Sequence, residues 1–509
     1  MSDSRSKNTT RNIIFSFANQ IVAVLFPFIT RTVILNVLGA DYLGLNSLFT
    51  SILSFLNLAE LGIGSAIVFA MYKPCTEKNI KLMNALLNYY RKFYIRIGCT
   101  VLGVGILALP FLEILINGNP PENSNIYILF VFFLCNTTSS YFFSGYRQSL
   151  FIVNQRSDII SKITLCVNVI SQTIQIILLA AFKNYYLFAT IPIIGTIAIN
   201  MISAKLSQNR YPSIICDGEL EDIEKKEIKK RLSGLIGTKL NSVMVHSADT
   251  LVISAFLGLR ATAIYGNYFY VLNGVNAFVI LIFSSMTASV GNSLLIEKNE
   301  TNKALFDKIQ FMNAWITGVC SVCLLCLYHR FISLWTGETL TYSLSVEALL
   351  VIYFFVYTIQ RTIVTFKDAA GIWYEDRYRP YICMVVNVVL NIVSIQYIGI
   401  YGVLLSSIIS FIISIPWTNA VLFKSYFGES GVHNLIALVK YAIVTALSCL
   451  VTWYITNMLP KGVLGFIICL PICAVLPNVI FLLVYSRTKE FYLMKEMILQ
   501  RVVGRKKNK

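Results

Sequence analysis

The sequence predicts an all-α polytopic membrane protein of about fourteen transmembrane helices, on three observations. Hydrophobic residues make up 56% and charged residues 13% of the 509 positions, too little polar surface to coat a soluble fold of that size. The apolar residues fall into repeated runs of roughly 20 or more, the length a helix needs to cross a hydrocarbon core. Lys and Arg gather in alternate loops, as the positive-inside rule requires of a multi-pass chain. The polar start 1–11 runs straight into a span too long for a signal h-region, so no cleavable signal peptide is expected.

The first two spans set the pattern. Asn12–Val37 leads out, Gly39-Ala40-Asp41 turns the chain, and Gly44–Tyr72 returns. Spans at roughly 93–116, 125–146, 163–182 and 185–204 complete a six-helix lobe over 1–204, and a polar linker, 205–232, closes it. A second six-helix lobe over 233–424 reads as 233–257, 262–292, 309–332, 343–366, 381–398 and 401–423. Two additional helices, 433–457 and 462–486, occupy the stretch 425–486, and a basic tail, 487–509, ends the chain. Two apolar runs are about twice a single span and must be cut: Ile163–Ala204 at Lys183-Asn184, and Cys383–Phe423 at Gly399-Ile-Tyr-Gly402. Arg31-Thr32-Val33-Ile34, Leu38-Gly39 and Tyr42-Leu43-Gly44-Leu45-Asn46 are echoed by Asp249-Thr250-Leu251-Val252, Leu257-Gly258 and Ile264-Tyr265-Gly266-Asn267. A repeated first hairpin points to two similar lobes.

Charge gives the orientation. With a cytosolic N-terminus, inner loops collect Arg5, Lys7, Arg11, Lys73, Lys78, Lys81, Arg91, Lys92, Arg147, Arg156, the cluster Lys225–Arg231, Arg377, Arg379 and the tail. Outer loops hold little beyond Lys183, Arg260, Arg330 and Lys461. That bias, roughly eight to one, places both termini in the cytosol. The net charge of +17 then reflects topology and anionic membrane lipids, with no nucleic-acid partner. Lys225-Lys226 and Lys229-Lys230-Arg231, interleaved with acids, read as a solvated surface helix. Of the twelve Cys, ten lie in apolar spans, and Cys75 and Cys216 lie in cytosolic loops, which argues against a disulfide framework. Cys320, Cys323 and Cys326 recur along one span without a His or carboxylate beside them, the pattern of a packing stripe and not of a metal site.

No Walker A loop, G-x-G-x-x-G, G-x-S-x-G or H-E-x-x-H occurs, and the short outer loops leave no room for an external catalytic domain. No enzyme activity, cofactor or metal is expected. Ionisable groups at membrane depth are costly and default to function. They are Arg31, Glu60, Lys239, Asp249 and Arg361, with Lys440 near a span end. By helix rise, Arg31 and Asp249 share the outer layer, and Lys239 and Arg361 lie nearer the cytosol. Lobes related by an axis along the membrane normal would let Arg31 and Asp249 close an outer gate, while Lys239 and Arg361 draw in an anionic head group. The competing reading locks each charge within its own lobe. Glu60 binds a coupling cation or holds the second span to a neighbour. His246 sits three residues before Asp249 on one helix face, a proton-responsive pair or a histidine bonded to another helix; His329 and His433 fall near span ends. Asn267 and Tyr268, with Tyr265 and Tyr270, can meet sugars or simply pack. The substrate-cavity set is therefore Arg31, Lys239, Arg361, Asn267 and Tyr268, and the gate and coupling set Arg31, Asp249, Glu60 and His246.

The run Tyr42-Leu-Gly-Leu-Asn46 through Leu56-Asn-Leu-Ala-Glu60-Leu-Gly-Ile-Gly-Ser-Ala66 resembles the N-terminal signature of Wzx-type polysaccharide transporters, the oligosaccharide-lipid flippases of the multidrug/oligosaccharidyl-lipid/polysaccharide exporter superfamily. Gly145-Tyr-Arg147…Asn154-Gln-Arg156 and Gly399-Ile-Tyr-Gly402 add to the resemblance. It implies a MATE-like fold with a cationic cavity, alternating access, and translocation of undecaprenyl-pyrophosphate-linked repeat units across a bacterial inner membrane. The partners it implies are the lipid-linked glycan, membrane lipids, H+ or Na+ as coupling ion, and a polysaccharide polymerase, in O-antigen, capsule or exopolysaccharide assembly. Two competitors stand beside it. A multidrug or cation antiporter of the same fold would prefer organic cations, and a membrane glycosyltransferase or polymerase would transfer sugar in detergent.

Overall fold

In the computed structural model, residues 2–60, 62–118, 120–121, 124–492 and 494 are described, with the side chains of 2–14, 16–17, 59, 229–239, 241–242, 244–246 and 288 outside the described set. Among the described residues the secondary structure is entirely helical. The helices are α1 Ser2–Val37, α2 Ala40–Leu56, α3 Ile63–Thr76, α4 Ile80–Ala108, α5 Ile126–Phe142, α6 Gln148–Val153, α7 Ser157–Phe182 and α8 Tyr185–Arg210. There follow α9 Asp222–Ile296, α10 Asn299–Thr336, α11 Leu344–Ile359, α12 Arg361–Ala369, α13 Arg379–Ile398, α14 Ile400–Leu422, α15 Val432–Asn457 and α16 Val463–Tyr485.

The turns form where local chemistry favours them. Lys183 ends α7 in the left-handed region at φ 51°, and Asn184 starts α8 by accepting hydrogen bonds from the Tyr186 and Leu187 amides at 2.8 and 3.3 Å. Asn79 and Asn125 cap α4 and α5 in the same way. Gly399, at φ 58°, separates α13 from α14 at the expected cut. The echo between the two hairpins extends to the backbone. Gly39 stands at φ 96° and ψ 178°, and Gly258 at φ 84° and ψ 178°, a conformation open to glycine and costly for side-chain-bearing residues. At Gly258 the chain also passes close to a neighbour, since a Cβ there would lie 2.8 Å from the Asn117 carbonyl oxygen.

Eleven helices among the described residues are long and apolar enough to span a membrane, or twelve if the pair Ile126–Phe142 and Gly145–Val153, bent by 49°, is one span. About fourteen spans is consistent with this. The second expected span is present but broken into α2, a 3₁₀ stretch Asn57–Glu60, and α3. The stretch Ser247–Ile296 counts once, although it turns at Gly258.

The chain divides into two compact units, Met1–Ala263 and Ile264–Lys509, with α9 running from one into the other. The core of the first is built from Leu45, Leu48, Phe49, Ile67, Leu129 and Phe130, all fully buried. In lipid, close approach and interhelical hydrogen bonds replace much of the hydrophobic driving force. The α13–α14 hairpin of the second unit shows the pattern: Asn387 donates to Ser407 at 2.9 Å, Ser406 to Asn391 at 2.6 Å, and Ser410 to the Cys383 carbonyl at 3.0 Å. Cys323 and Cys326 on α10 pack beside cysteines of other helices. Cys326 clusters with Cys449, Cys469 and Cys473 beside Cys323, and no metal-holding group of side chains occurs among the described residues.

Candidate transport site

The break in the second span is tied down around Glu60. Its carboxylate accepts hydrogen bonds from Tyr94 on α4 at 2.9 Å and Tyr141 on α5 at 2.8 Å, and Tyr141 also reaches Asn57 at 3.2 Å. Tyr90, Tyr94 and Tyr141 pack edge to face in a chain, with centroids 4.7 and 5.3 Å apart. The broken backbone leaves amides and carbonyls without helical partners. Glu60 thus fastens the irregular segment to two neighbouring helices.

The fourth expected span of each lobe, 125–146 and 343–366, also ends in an interruption, and each interruption carries an arginine. In the first unit α5 ends at Phe142, Ser144 turns left-handed, and a 3₁₀ turn Gly145–Arg147 leads into α6. Arg147 is 8% exposed, and its Nη1 has no hydrogen-bond partner among the described residues. Across from it on α8 a column of polar side chains faces the turn. Gln148 donates to Asn200 at 3.0 Å, Ser207 donates to the Arg147 carbonyl at 3.5 Å, and Asn200 Nδ2 and Ser203 Oγ are buried without partners among the described residues. In the second unit α11 ends at Ile359, Gln360 interrupts, and Arg361 opens α12. Its guanidinium lies 4.6 Å from the centre of the Tyr357 ring, and its Nε is buried without a partner among the described residues.

Just beyond each break an aspartate sits between two cations. Asp158, fully buried at the start of α7, meets Arg156 at 2.9 Å and Lys162 at 3.6 Å. Asp376, ahead of α13, takes Lys367 at 2.7 Å, and from Arg379 two bonds of 2.8 Å and one of 3.0 Å. Arg379 further donates to Ser414 at 2.8 Å. Burial by itself would raise the Asp376 pKa, but the hydrogen bonds and charge of Arg379, and then Lys367, outweigh it and hold the carboxyl below the usual range. The loop so anchored carries Arg377 stacked on Tyr374 and Tyr378, 3.7 and 4.6 Å from the ring centres.

The predicted residues fall as follows. Arg31 on α1 is half-buried and Asp249 on α9 is fully buried, both in the first unit. The side chains of Lys239 and His246 lie outside the described residues. Asn267 is 1% exposed, and Tyr268 is fully enclosed. Tyr268 donates to Glu347 at 2.7 Å and accepts from the Tyr342 amide at 3.0 Å, and its own carbonyl receives the Tyr328 hydroxyl at 3.1 Å. No ring face is left open to a sugar, and Tyr268 serves as a strut. Lys440 is exposed on α15.

Glu347 is a group the sequence reading passed over, although it lies inside the expected span 343–366. It is fully buried, its Oε2 has no partner among the described residues, and His329 Nδ1 stands 3.4 Å from Oε1, with Glu338 3.7 Å from the other ring nitrogen. Arg147 entered the sequence analysis only as an inner-loop cation and within a resemblance, and the two aspartates between cations were not foreseen.

No known family profile matches the chain, and a search of curated proteins finds no match. Among solved structures the chain is similar to a multidrug-resistance MATE family transporter of the MOP superfamily in an inward-facing conformation. The TM-score is 0.61 at 13% identity, over 84% of this chain and 99% of that one. It is similar also to the lipid II flippase MurJ in an inward closed conformation, with a TM-score of 0.60 at 17% identity, over 93% and 99% of the two chains. A mutant of the Vibrio cholerae MATE transporter VcmN gives a TM-score of 0.58 at 14% identity, over 84% and 99%. The fold is therefore that of MATE transporters and MurJ.

Proposed function

We propose that this protein is a flippase that moves undecaprenyl-pyrophosphate-linked oligosaccharide repeat units across the bacterial inner membrane by alternating access, with both termini in the cytosol. The observation that carries the proposal is the pair of break-site arginines, Arg147 and Arg361, each with a buried guanidinium nitrogen that meets no protein acceptor among the described residues. A buried donor left without a partner costs about 1–3 kcal/mol, and phosphate oxygens match the planar donor fork of arginine in charge and geometry. A pyrophosphate-linked substrate offers such oxygens. Likeness in fold to a lipid II flippase agrees with a lipid-linked substrate. Arg31 and Lys239 add positive charge to the substrate path, and Glu60, Asp249 and His246 remain the proposed coupling groups for H+ or Na+, joined by Glu347.

The test is transport into proteoliposomes loaded with an undecaprenyl-pyrophosphate-linked oligosaccharide, read by accessibility of the glycan to a lectin. Arg147→Ala and Arg361→Ala should each slow flipping by roughly tenfold or more, as loss of a charged hydrogen bond of about 1.5–3 kcal/mol predicts. Wild-type rates in both variants would remove the basis of the proposal. A second reading, cation antiport, draws on the buried acids Asp249 and Glu347 and on the MATE neighbours. Proton-driven uptake of ethidium into everted vesicles, without glycan flipping, would establish it instead.

A further inference from the structure

The first unit contains a cavity of about 290 Å³ between α1, α2, α5, α7 and α8. It is closed by Pro27 and Pro192, each inside a helix, and by Gly195, where a Cβ would come within 2.8 Å of Ser171 Oγ. Part of its polar wall is already fixed by the protein. Asn46 donates to Tyr185 at 3.0 Å, Thr196 to Asn136 at 2.8 Å, and Gln175 to the Phe188 carbonyl at 2.9 Å. The rest is uncommitted. Thr30, Asn168, Ser171 and Gln172 line the cavity and have no protein hydrogen-bond partner among the described residues. Phe133 and Phe188 also line the space, and no Asp, Glu, Lys, Arg or His is among the described residues that border it.

This combination has a chemical meaning. Amides and hydroxyls present donors and acceptors side by side, which is what a polyhydroxylated ring requires, and the apolar side chains of Phe133 and Phe188 on the same wall suit its C–H groups. A cavity without a carboxylate offers an organic cation no counter-charge, and one without a cation offers none to a phosphate. The volume suits roughly one or two sugar rings, being at the lower end of small-molecule pockets. We infer that this cavity is a subsite for a neutral pyranose of the transported glycan, separate from the arginines that meet its phosphates. The inference deepens the proposed function and rests on it.

The experiment uses the full-length protein in lipid nanodiscs and follows its thermal unfolding with millimolar methyl glycosides of a hexose, a 6-deoxyhexose and an N-acetylhexosamine. Methyl glucuronoside and tetraphenylphosphonium serve as charged probes. At least one neutral glycoside should raise the Tm, and Asn168→Ala and Gln172→Ala should weaken its binding by about tenfold or more while keeping the Tm of the unliganded protein. Gln172→Leu, which fills the space without hydrogen bonds, should abolish the shift. A wild type stabilised by none of the neutral glycosides, or only by a charged probe, overturns the assignment, as does unchanged binding in all three variants. Glycan flipping that depends on Arg147, together with failed glycoside binding, would discard the pocket alone. A wild type that flips no glycan would discard the proposed function as well.

Discussion

The buried cluster around Asp376 gives the sharpest quantitative expectation. Lys367 and Asp376 are each 2% exposed and Arg379 is 9% exposed, so three formal charges, two of them positive, are withdrawn from solvent. Asp376→Asn removes the single anion, replaces one accepting oxygen with a donor, and leaves two buried cations facing each other. Removing one partner of a buried ion pair costs about 3–5 kcal/mol, which for a unit of this size is a fall in Tm on the order of 10 °C. Fluorescence-detected thermal unfolding of the tagged protein in detergent measures it. Lys367→Met relieves the repulsion, so the double variant Asp376→Asn/Lys367→Met should lose less than the sum of the single losses, by about 1 kcal/mol or more. The pH dependence has a fixed sign. The native carboxyl titrates below its ordinary value near 3.9, so its contribution is complete above that value and disappears as pH falls through the lower native pKa. The gap between wild type and Asp376→Asn should therefore be constant from neutrality to about pH 4 and shrink only below it. A Tm change under about 1 °C, or strict additivity in the double variant, would refute the reasoning.

Gly258→Ala should cost about 1–3 kcal/mol, because the left-handed backbone is joined by a close approach of the Asn117 carbonyl. Gly39→Ala, at a similar φ with nothing within 4 Å of a Cβ, should cost less, and comparison of the two Tm values isolates the contact. Tyr141→Phe removes one charged hydrogen bond from Glu60 and should destabilise by about 1.5–3 kcal/mol. Glu60→Gln keeps an accepting oxygen for Tyr94 or Tyr141 and should lose less in the same unfolding assay. Tyr268→Phe takes away the 2.7 Å bond to Glu347 and should lower stability by a similar ~1.5–3 kcal/mol, with a larger loss pointing to collapse of the His329–Glu347 contact as well.

Several features were legible in the residues because they are decided within a few positions of the chain. Apolar runs of span length fixed an all-helical membrane protein. Lys183-Asn184 and Gly399 marked where two long runs turn, since a left-handed residue or an asparagine cap acts on the next one or two amides alone. The echo of Leu38-Gly39 in Leu257-Gly258 foretold two glycines with matching dihedrals. The interruption at Asn57–Glu60 was hidden inside one expected span, because its broken backbone is held by Tyr94 and Tyr141 from other helices, whereas the turn at Ser144–Arg147 falls where the fourth span was expected to end.

Intramembrane charge shows the same division. Sequence named Glu60, Arg361 and Asp249 as residues that a bilayer would not tolerate without a reason, and a uniform application of that test would have added Glu347. It could not say that Glu60 would be gripped by Tyr94 and Tyr141, that Tyr268 would be spent on Glu347, or that Asp376 would be shared between Lys367 and Arg379. The Glu60 and Tyr268 pairings join residues 34 to 81 positions apart, whereas Asp376 meets Lys367 and Arg379 only 9 and 3 positions away, and in every case the energy of a buried charge depends on which donors reach it once helices have packed. Composition and local turn chemistry determined the kind of protein and where its helices turn; only tertiary packing decided which polar groups are satisfied by the protein and which, among the described residues, are left without a protein partner.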